Sequence, residues 1–446
     1  MMSPSILALI MLAIIVVFIL FEKQLKVPMN FVLFTVPVIF SFLMGYDLTQ
    51  TSAFILTQLS TVMNQTGYML LFGLIYFVML TETGMFDVMV NAVMKLIGNR
   101  LNVIGVMILT SVLGGIAYLT ANMSTTYLIV FPIVIPLYKK FKINRDFAFI
   151  ICQTAVAAMC WLPWGIGVVM SATMAGTNAE TLAQASIPWG ICFIPAIILQ
   201  YIYFAWRHKK EQGTLGLPEG SEEKGAENQG TAEKEFARQD LFWINFLIFI
   251  LVIIALAVFK VPSYLVFIAA SMVTALLNYP QNFGQIWNKA GMTFFNVLIM
   301  LLAICFYLAI FNAAPEDGSK LSMVASLAQL LEDIFPAFLL NYMHLIFLLL
   351  AVPIIYFVPY QLYNALYPLF ISVGAAFGLS SIAIIAPFVC NLALATSVTP
   401  MNSATFVGCS LIEREVGPYT RHAAPIMFVT NLIVVLTALL TGVLQF

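Results

Sequence analysis

Residues 101–138 carry no Asp, Glu, Lys or Arg, and the length of this uncharged segment constrains the fold more than any other feature of the chain. One membrane span needs about 20 apolar residues, so the segment is too long for one span and too short for two full spans with a loop. A polar run, Asn122 to Thr126, lies near its middle, and Arg100 and Lys139 flank it. We predict a re-entrant hairpin with its tip at Asn122 to Thr126. The alternative, one long tilted span, would put basic residues on both membrane faces.

The composition indicates a membrane protein built of many helices. Of the 446 residues, 62% are hydrophobic and 9% are charged, a balance that water-soluble domains do not show. Apolar runs of helical length argue against an outer-membrane barrel, whose strands run about 10 residues. The net charge of -1 and the lack of a basic stripe give no indication of nucleic-acid binding. We therefore predict an all-α polytopic protein in the lipid bilayer.

A hydrophilic stretch divides the apolar segments into two sets. Residues 207–240 are rich in Gly, Glu and Lys, which is typical of a solvated cytoplasmic linker. The first half comprises residues 1–206 with the hairpin at 101–138, and the second comprises residues 241–446 with another uncharged segment at 337–377. Spans are expected at about 5–21, 28–45, 67–86, 146–174, 189–206, 241–259, 262–278, 292–312, 381–412 and 423–444.

The prolines indicate an internal repeat. Three pairs recur at nearly one offset along the chain: Pro132 with Pro368, Pro163 with Pro400, and Pro188 with Pro425. Five spans per half put the start of the second half on the opposite membrane face, as in the inverted repeats of many secondary transporters. We predict about ten transmembrane helices in two inverted repeats. The second hairpin, with its tip near "VPYQLYNALYP", would open from the other face.

The basic residues indicate the orientation. With both termini outside the cytoplasm, all but Lys260 and Lys320 of the 19 Lys and Arg residues fall on the inner side, which follows the positive-inside rule. The first apolar run has no basic region before it, so we expect a retained span. The prediction is a multi-pass cell-membrane protein with extracytoplasmic termini.

Four polar interruptions at membrane depth form the candidate binding site, because irregular backbone is tolerated there only where it lines a protein cavity or water. Two are the hairpin tips, and two are breaks inside spans, at "LPWG" and at "TSVTPMNSATF". The residues expected to bind substrate and ion are Asn122, Ser124, Thr125, Thr126, Pro163, Trp164, Gly165, Tyr360, Gln361, Tyr363, Asn364, Thr399, Pro400, Asn402 and Ser403.

The chemistry of these interruptions suits both ions and anions. Hydroxyls, amides and freed carbonyls suit a cation, and half-helix N-termini suit an anion. A sodium ion would be held by Ser124, Thr125, Asn402 and Ser403. A single hydroxyl in a membrane helix often only bonds to the preceding turn, but four interruptions at matching positions favour a site.

Ionisable residues at membrane depth are few. Glu82 either takes part in ion coupling or faces cytoplasmic water, and His344 either carries protons or is hydrogen-bonded inside the bundle. Trp161 and Trp164 either line a cavity or pack beside the break. We expect an interfacial salt-bridge patch of Glu413, Arg414, Glu415, Arg421 and His422. The six cysteines lie in apolar segments and are expected to be small core residues.

Motifs for ATP-driven transport or hydrolysis do not occur. The sequence has no G-x-x-x-x-G-K-[ST], no H-E-x-x-H and no G-x-S-x-G. Transport would therefore be secondary, and no catalytic residue is expected.

At its motifs the chain resembles the citrate-metal:proton symporters, the CitMHS family of the ion transporter superfamily, which is related to divalent anion:sodium symporters. The resemblance rests on "LLFGLIYFVMLTETGMFD", "STTYLIVFPIVIPLYKKF", "LPWG" and "TPMNSATFVG". It implies a homodimer in which a transport domain moves against a scaffold in an elevator-type cycle. It also implies a small organic anion as substrate, H⁺ or Na⁺ as coupling cation, and a divalent metal carried with the substrate.

Departures from the family pattern concern charge. The family resemblance leads us to expect an acid and a glycine just before the Ser-Thr-Thr of the first tip, where this chain has Asn122 and Met123. The second tip has Pro359 and Tyr360 in place of an Asn-Asp pair, and Met170 replaces an arginine. A less charged, metal-free substrate, or one bound with sodium, would suit these changes.

The leading hypothesis is an ion-coupled secondary transporter of citrate or a related di- or tricarboxylate. An alternative is a sodium-coupled transporter of a monovalent or neutral solute or an inorganic ion. A membrane enzyme acting on lipids is disfavoured, since it would need clustered acids or a His/Ser pair at one face. A passive channel is disfavoured because two opposed hairpins fit alternating access better.

Overall fold

The computed structural model describes residues 3–89, 92, 102–216, 236–257, 259, 261–314, 321–399 and 402–444. Arg100, Lys260, Lys320, Pro400 and linker residues 217–235 lie outside the described residues, and of Ser403 only the backbone is described. Every regular element in the described ranges is a helix, which confirms the all-α prediction.

The first half consists of eleven α-helices in the described ranges. They are α1 (Pro4–Leu20), α2 (Glu22–Leu25), α3 (Met29–Leu43), α4 (Leu48–Val62), α5 (Tyr68–Glu82), α6 (Val103–Ala117), α7 (Met123–Lys140), α8 (Arg145–Ala158), α9 (Ile166–Ala175), α10 (Ala179–Ile191) and α11 (Phe193–Gln212).

The second half likewise consists of eleven α-helices in the described ranges. They are α12 (Phe242–Ala257), α13 (Ser263–Asn278), α14 (Phe283–Phe311), α15 (Met323–Ile334), α16 (Ala337–Asn341), α17 (Met343–Leu349), α18 (Ala351–Phe357), α19 (Gln361–Ala376), α20 (Ser381–Ala395), α21 (Ser403–Leu411) and α22 (Val416–Leu440). Within the described chain, six helical stretches are long and apolar enough to cross a membrane, beside several shorter apolar helices.

The third span is longer than the sequence suggested. It begins at Leu48, where Asp47 and Gln50 form a capping box, and passes through a π-helical turn (Met63–Gly67) into α5. The Thr and Gln residues of α4 conceal this extension, because they break the apolar run without breaking the helix. The span therefore starts well before the expected residue 67.

Helices of the two halves pack reciprocally. Helix α3, the second predicted span of the first half, packs on α14, and α13, the second predicted span of the second half, packs on α5. In the same way α21 packs on α7 and α9 packs on α19. The helices form two groups. The first group contains α1, α3–α5 and α12–α15, and the second group contains the hairpins and the broken spans. Each group thus draws on both halves of the sequence.

The two ends of the segment 101–138 lie at one end of the second group. At the start of α6 the Val103 amide donates to the Leu215 carbonyl, just after α11 (3.1 Å). At the end of α7, Lys139 pairs with Glu413. Arg207 of α11 contacts His422, which in turn contacts Asp146 near the start of α8. The chain therefore goes out and returns, and it reverses at a 3₁₀ turn, Tyr118–Thr120, followed by Ala121 with a φ of 53°.

Three of the five patch residues, Glu413, Arg414 and His422, form the expected ionic cluster. Glu413 bonds to Lys139 and Arg145, and the hydrogen bond from Lys139 holds the pKa of the Glu413 carboxyl below its ordinary value. Arg414 makes a two-bonded pair with Asp146 (2.7 and 3.1 Å).

The remaining members of the patch have other partners, and Asp146 is an addition. Glu415 occupies the cap position of α22, and Arg421 donates to Gly417 within the same helix. Asp146 is 1% exposed at its side chain and pairs with both Arg414 and His422.

Glu82 has a charged partner, and the cysteines lie in the protein interior. Glu82 pairs with Lys289 (2.8 Å) near the end of its helix. All six cysteines are buried and free, which confirms that they are core residues.

Gly408 allows α21 to pack closely on α8. A Cβ at this position would lie 2.3 Å from the ring of Phe149, which is fully buried and stacked on Tyr419. We expect Gly408→Ala to lower the free energy of unfolding by about 1–3 kcal/mol, because the ring has no room to move. Thermal unfolding in detergent measures the change.

Gly291 provides the matched control for this substitution. Nothing lies within 4 Å of a Cβ built there, in the interior of α14. Gly291→Ala should leave stability unchanged or raise it by up to about 1 kcal/mol, since Ala is the better helix former. Equal unfolding temperatures for the two variants would show that α21 is not packed as described.

Candidate functional site

The first hairpin tip lies against the first broken span. The indole Nε1 of Trp164 donates to the Leu119 carbonyl (3.1 Å), and the Cys160 thiol donates to the Tyr118 hydroxyl (3.1 Å). Gly165 faces Ala121, since a Cβ built on it would lie 3.9 Å from that of Ala121. Residues 159–165 separate α8 from α9, as "LPWG" predicted.

Asn122 caps α7 at this tip. Its side-chain oxygen accepts from the Thr125 amide (3.0 Å), and its carbonyl accepts from the Thr126 hydroxyl (2.9 Å). Asn122 is exposed, Ser124 and Thr125 are half-buried, and Thr126 is buried. Because the capping group is a neutral amide, the partial positive charge of the helix N-terminus is not cancelled at the tip.

At the second break, between α20 and α21, nearby side chains bond to a backbone carbonyl that the interrupted helix leaves without a helical partner. The Thr396 carbonyl accepts from the Thr405 hydroxyl (3.0 Å) and from the Asn402 amide (3.3 Å). Asn402 also caps α21 through the Ala404 amide (3.2 Å). Thr399 is buried at this break. Hydroxyl and amide side chains thus take the place of missing helical hydrogen bonds.

The first tip and the second break touch each other. The Thr396 hydroxyl contacts the sulfur of Met123, the first residue of α7 (3.5 Å). Helices α7 and α21 pack together, and their far ends meet where Lys139 bonds to Glu413. The two helices therefore run in the same direction. The Thr396 carbonyl binds Asn402 and Thr405 at the start of α21, so this start lies near that of α7. Three of the four predicted interruptions come together here.

The second tip has a different neighbourhood. The Tyr363 hydroxyl donates to the Phe347 carbonyl (2.9 Å) and so joins the two arms of this hairpin. Gln361 and Asn364 line a cavity of about 40 Å³ together with Asn30 and with Tyr307 of α14. Tyr360 is half-buried just before α19. This tip is thus placed between the two helix groups. Its helix α19 packs on α9, which follows the first break.

Several predicted residues pack rather than face open space. Trp164 is 8% exposed and stacks on Phe77 with ring centroids 4.6 Å apart. Pro163 stands half-buried at the same break. His344 is buried on α17.

Sequence reasoning missed Gln153, which lies beneath the three interruptions. It is fully buried on α8, accepts from the Tyr127 hydroxyl of α7 and donates to the Ala393 carbonyl of α20. The available signal was a lone amide in the uncharged run "IICQTAVAAM", because a buried amide must find partners.

The sequence of the chain is similar to those of known transporters. A family model described as the Na⁺/H⁺ antiporter family matches residues 1–206. A citrate transporter of Bacillus subtilis (strain 168) is 24% identical over 429 residues, which cover 93% of this chain and 94% of the relative. A Mg²⁺/citrate complex secondary transporter of the same organism is 26% identical over 322 residues, 71% of this chain and 72% of the relative.

Proposed function

We propose that the chain carries citrate or a related di- or tricarboxylate across the membrane, coupled to H⁺ or Na⁺. The proposal starts from its similarity to a citrate transporter and to a Mg²⁺/citrate complex secondary transporter. The chain is a multi-pass membrane transporter and not an enzyme, as its relatives are transporters. The observation that carries the proposal is the contact between the first tip and the second break at Met123 and Thr396, next to which α7 and α21 begin.

Two helix starts at one place favour a bound anion. Each contributes backbone N–H groups and a partial positive charge, and the hydroxyls of Ser124 and Thr125 add donors. Half-helix dipoles and hydroxyls would meet the substrate charge here in place of the arginine that Met170 replaces. The coupling sodium, if sodium is used, would take oxygens of Ser124, Thr125, Asn402 and Ser403.

Two forms of the substrate, one bound to a metal and one metal-free, each have an observation in their favour. A relative is named for a Mg²⁺/citrate complex, and a metal would reduce the citrate charge that the helix starts must balance. The neutral Asn122 instead favours a less charged, metal-free substrate, or a monovalent or neutral solute with sodium. The match to a Na⁺/H⁺ antiporter family over residues 1–206 supports cation coupling in either case.

The reciprocal packing of the halves supports inverted repeats. In such a pair each helix of one half has a counterpart that makes the equivalent contact in the other, as α3 with α14 and α13 with α5 do. The hairpins would then be re-entrant from opposite faces. The group that contains them would move against α1, α3–α5 and α12–α15 in an elevator-type cycle, with the cavity at Gln361 on the sliding surface.

Orientation and assembly complete the proposal. The Lys139, Arg145 and Arg414 end of the second group would face the cytoplasm of a cell membrane, with both termini outside. A homodimer would cover α12, the span least enclosed by its own chain, whose 18-residue window is 17% buried. Trp243, Leu247 and Leu251 are exposed along it.

Replacing the tip hydroxyls tests the site. Ser124→Ala with Thr125→Ala should lower citrate uptake into reconstituted vesicles about tenfold or more, since each lost hydrogen bond is worth about 1 kcal/mol. The control is Thr61→Ala on α4, whose exposed hydroxyl bonds only to the Thr57 carbonyl of its own helix. Uptake is followed with and without a sodium gradient, a pH gradient and Mg²⁺. Unchanged uptake in the double variant would refute the assignment.

An acid at the first tip tests the metal question. Asn122→Asp should keep the cap of α7 and therefore the stability, but should weaken binding of free citrate and increase its dependence on Mg²⁺. Asn178→Asp is the matched control, because Asn178 caps α10 through the Thr181 amide (2.8 Å) in the same manner. The thermal shift produced by citrate, with and without Mg²⁺, measures citrate binding and its dependence on the metal. An identical metal dependence of the two variants would contradict the role of Asn122.

Single introduced cysteines test orientation and assembly, because the six native cysteines are buried. Glu413→Cys should react with an impermeant maleimide only after the cells are opened. Leu247→Cys should form a cross-linked dimer in membranes, whereas Leu199→Cys, exposed on α11, should not. Labelling of Glu413→Cys in intact cells would show that the orientation is opposite to the one proposed. Cross-linking at Leu199 alone would show that the dimer contact lies at α11 and not at α12.

A further inference from the structure

Gln153 joins three helices through a closed ring of polar contacts. Its amide oxygen accepts from Tyr127, and its amide nitrogen donates to the Ala393 carbonyl. That carbonyl also accepts from the Thr396 hydroxyl (2.7 Å), which contacts Met123 (3.5 Å). Met123 and Tyr127 lie one turn apart on α7, so the ring returns to its starting helix.

The ring fixes the orientation of the amide. A backbone carbonyl only accepts, so the Gln153 nitrogen must face Ala393, and its oxygen is left for the Tyr127 hydroxyl. Gln153 and Tyr127 are both fully buried, at 0% and 1% exposure. Losing one partner would leave a buried polar group unsatisfied, which is unfavourable. The first tip therefore cannot shift relative to the second break without breaking buried hydrogen bonds.

We propose that Gln153 is a positioning residue, which holds the N-termini of α7 and α21 at the spacing that binds the substrate. The inference rests on the proposed function for its substrate, but the spacing itself is a property of the fold. Gln153 bonds to Tyr127 of α7 and to Ala393 of α20. The connection to α21 runs through Thr396, just after α20, whose carbonyl accepts from Asn402 and Thr405.

Gln153→Met tests the proposal, because methionine has a similar length and cannot form either hydrogen bond. The matched control is Gln200→Met on α11: Gln200 is also buried, and it donates to Thr154 (3.0 Å) and Thr430 (2.8 Å) away from the breaks. Both variants should lose thermal stability. Only Gln153→Met should raise the KM for citrate, by about tenfold, with a smaller change in maximal rate, as expected when a pre-arranged binding geometry loosens.

A second readout does not depend on the substrate. Spin labels at Asn122→Cys and Asn402→Cys report the distance between the two helix starts, and the distribution should broaden in Gln153→Met but not in Gln200→Met. Tyr127→Phe deletes a single oxygen atom and with it the hydrogen bond to Gln153. The distance distribution should broaden in this variant even if Gln153→Met does not fold.

The outcomes separate the two proposals. An unchanged distance distribution in Gln153→Met, or in Tyr127→Phe should the first variant not fold, overturns the positioning role. So does an equal rise in KM for Gln153→Met and Gln200→Met. If the unmodified protein takes up no carboxylate, the proposed function fails, and the spin-label distances still decide the role of Gln153.

Discussion

The structure depends on satisfying backbone groups that broken helices release at membrane depth, where lipid offers no hydrogen bonds. Several of these groups bond to a side-chain donor. Trp164 serves the Leu119 carbonyl, Thr405 and Asn402 serve Thr396, and Asn431 serves the Leu348 and Leu349 carbonyls between α17 and α18. These donors come from other helices or from beyond the break, so satisfying the backbone also fixes how the broken spans pack.

The same constraint brings the binding chemistry together. The starts of α7 and α21 lie near each other, and Asn122 and Asn402 each cap one N–H group there. The proposed binding groups, which are the other first-turn N–H groups and the hydroxyls of Ser124 and Thr125, include no charged side chain. The contacts of the second tip with α14 and Asn30 put Gln361 and Asn364 where the two helix groups meet. The described site is therefore polar, nearly uncharged and divided between an inner cluster and a surface between the groups.

The sequence predicted the features that interrupt an apolar run. Residues 101–138 and the breaks at Pro163 and after Thr396 were visible because polar or helix-breaking residues stand inside uncharged segments. The sequence could not predict which interruptions meet, and the contacts of the second tip were not anticipated. Gln153 and Asp146 were missed, because each is a single polar residue whose importance comes from partners far away in the chain. The assignment of individual residues to substrate or sodium remains a prediction.

The exchange of partners between the halves has a consequence for biosynthesis. Helix α3 packs on α14, and α5 packs on α13, so the faces that the first half presents to these partners stay uncovered while the ribosome is still making the second half. Those faces must rest against lipid or the insertion machinery until α13 and α14 arrive. Truncation within the second half would therefore leave an inserted but incompletely packed intermediate, which quality-control proteases can recognise.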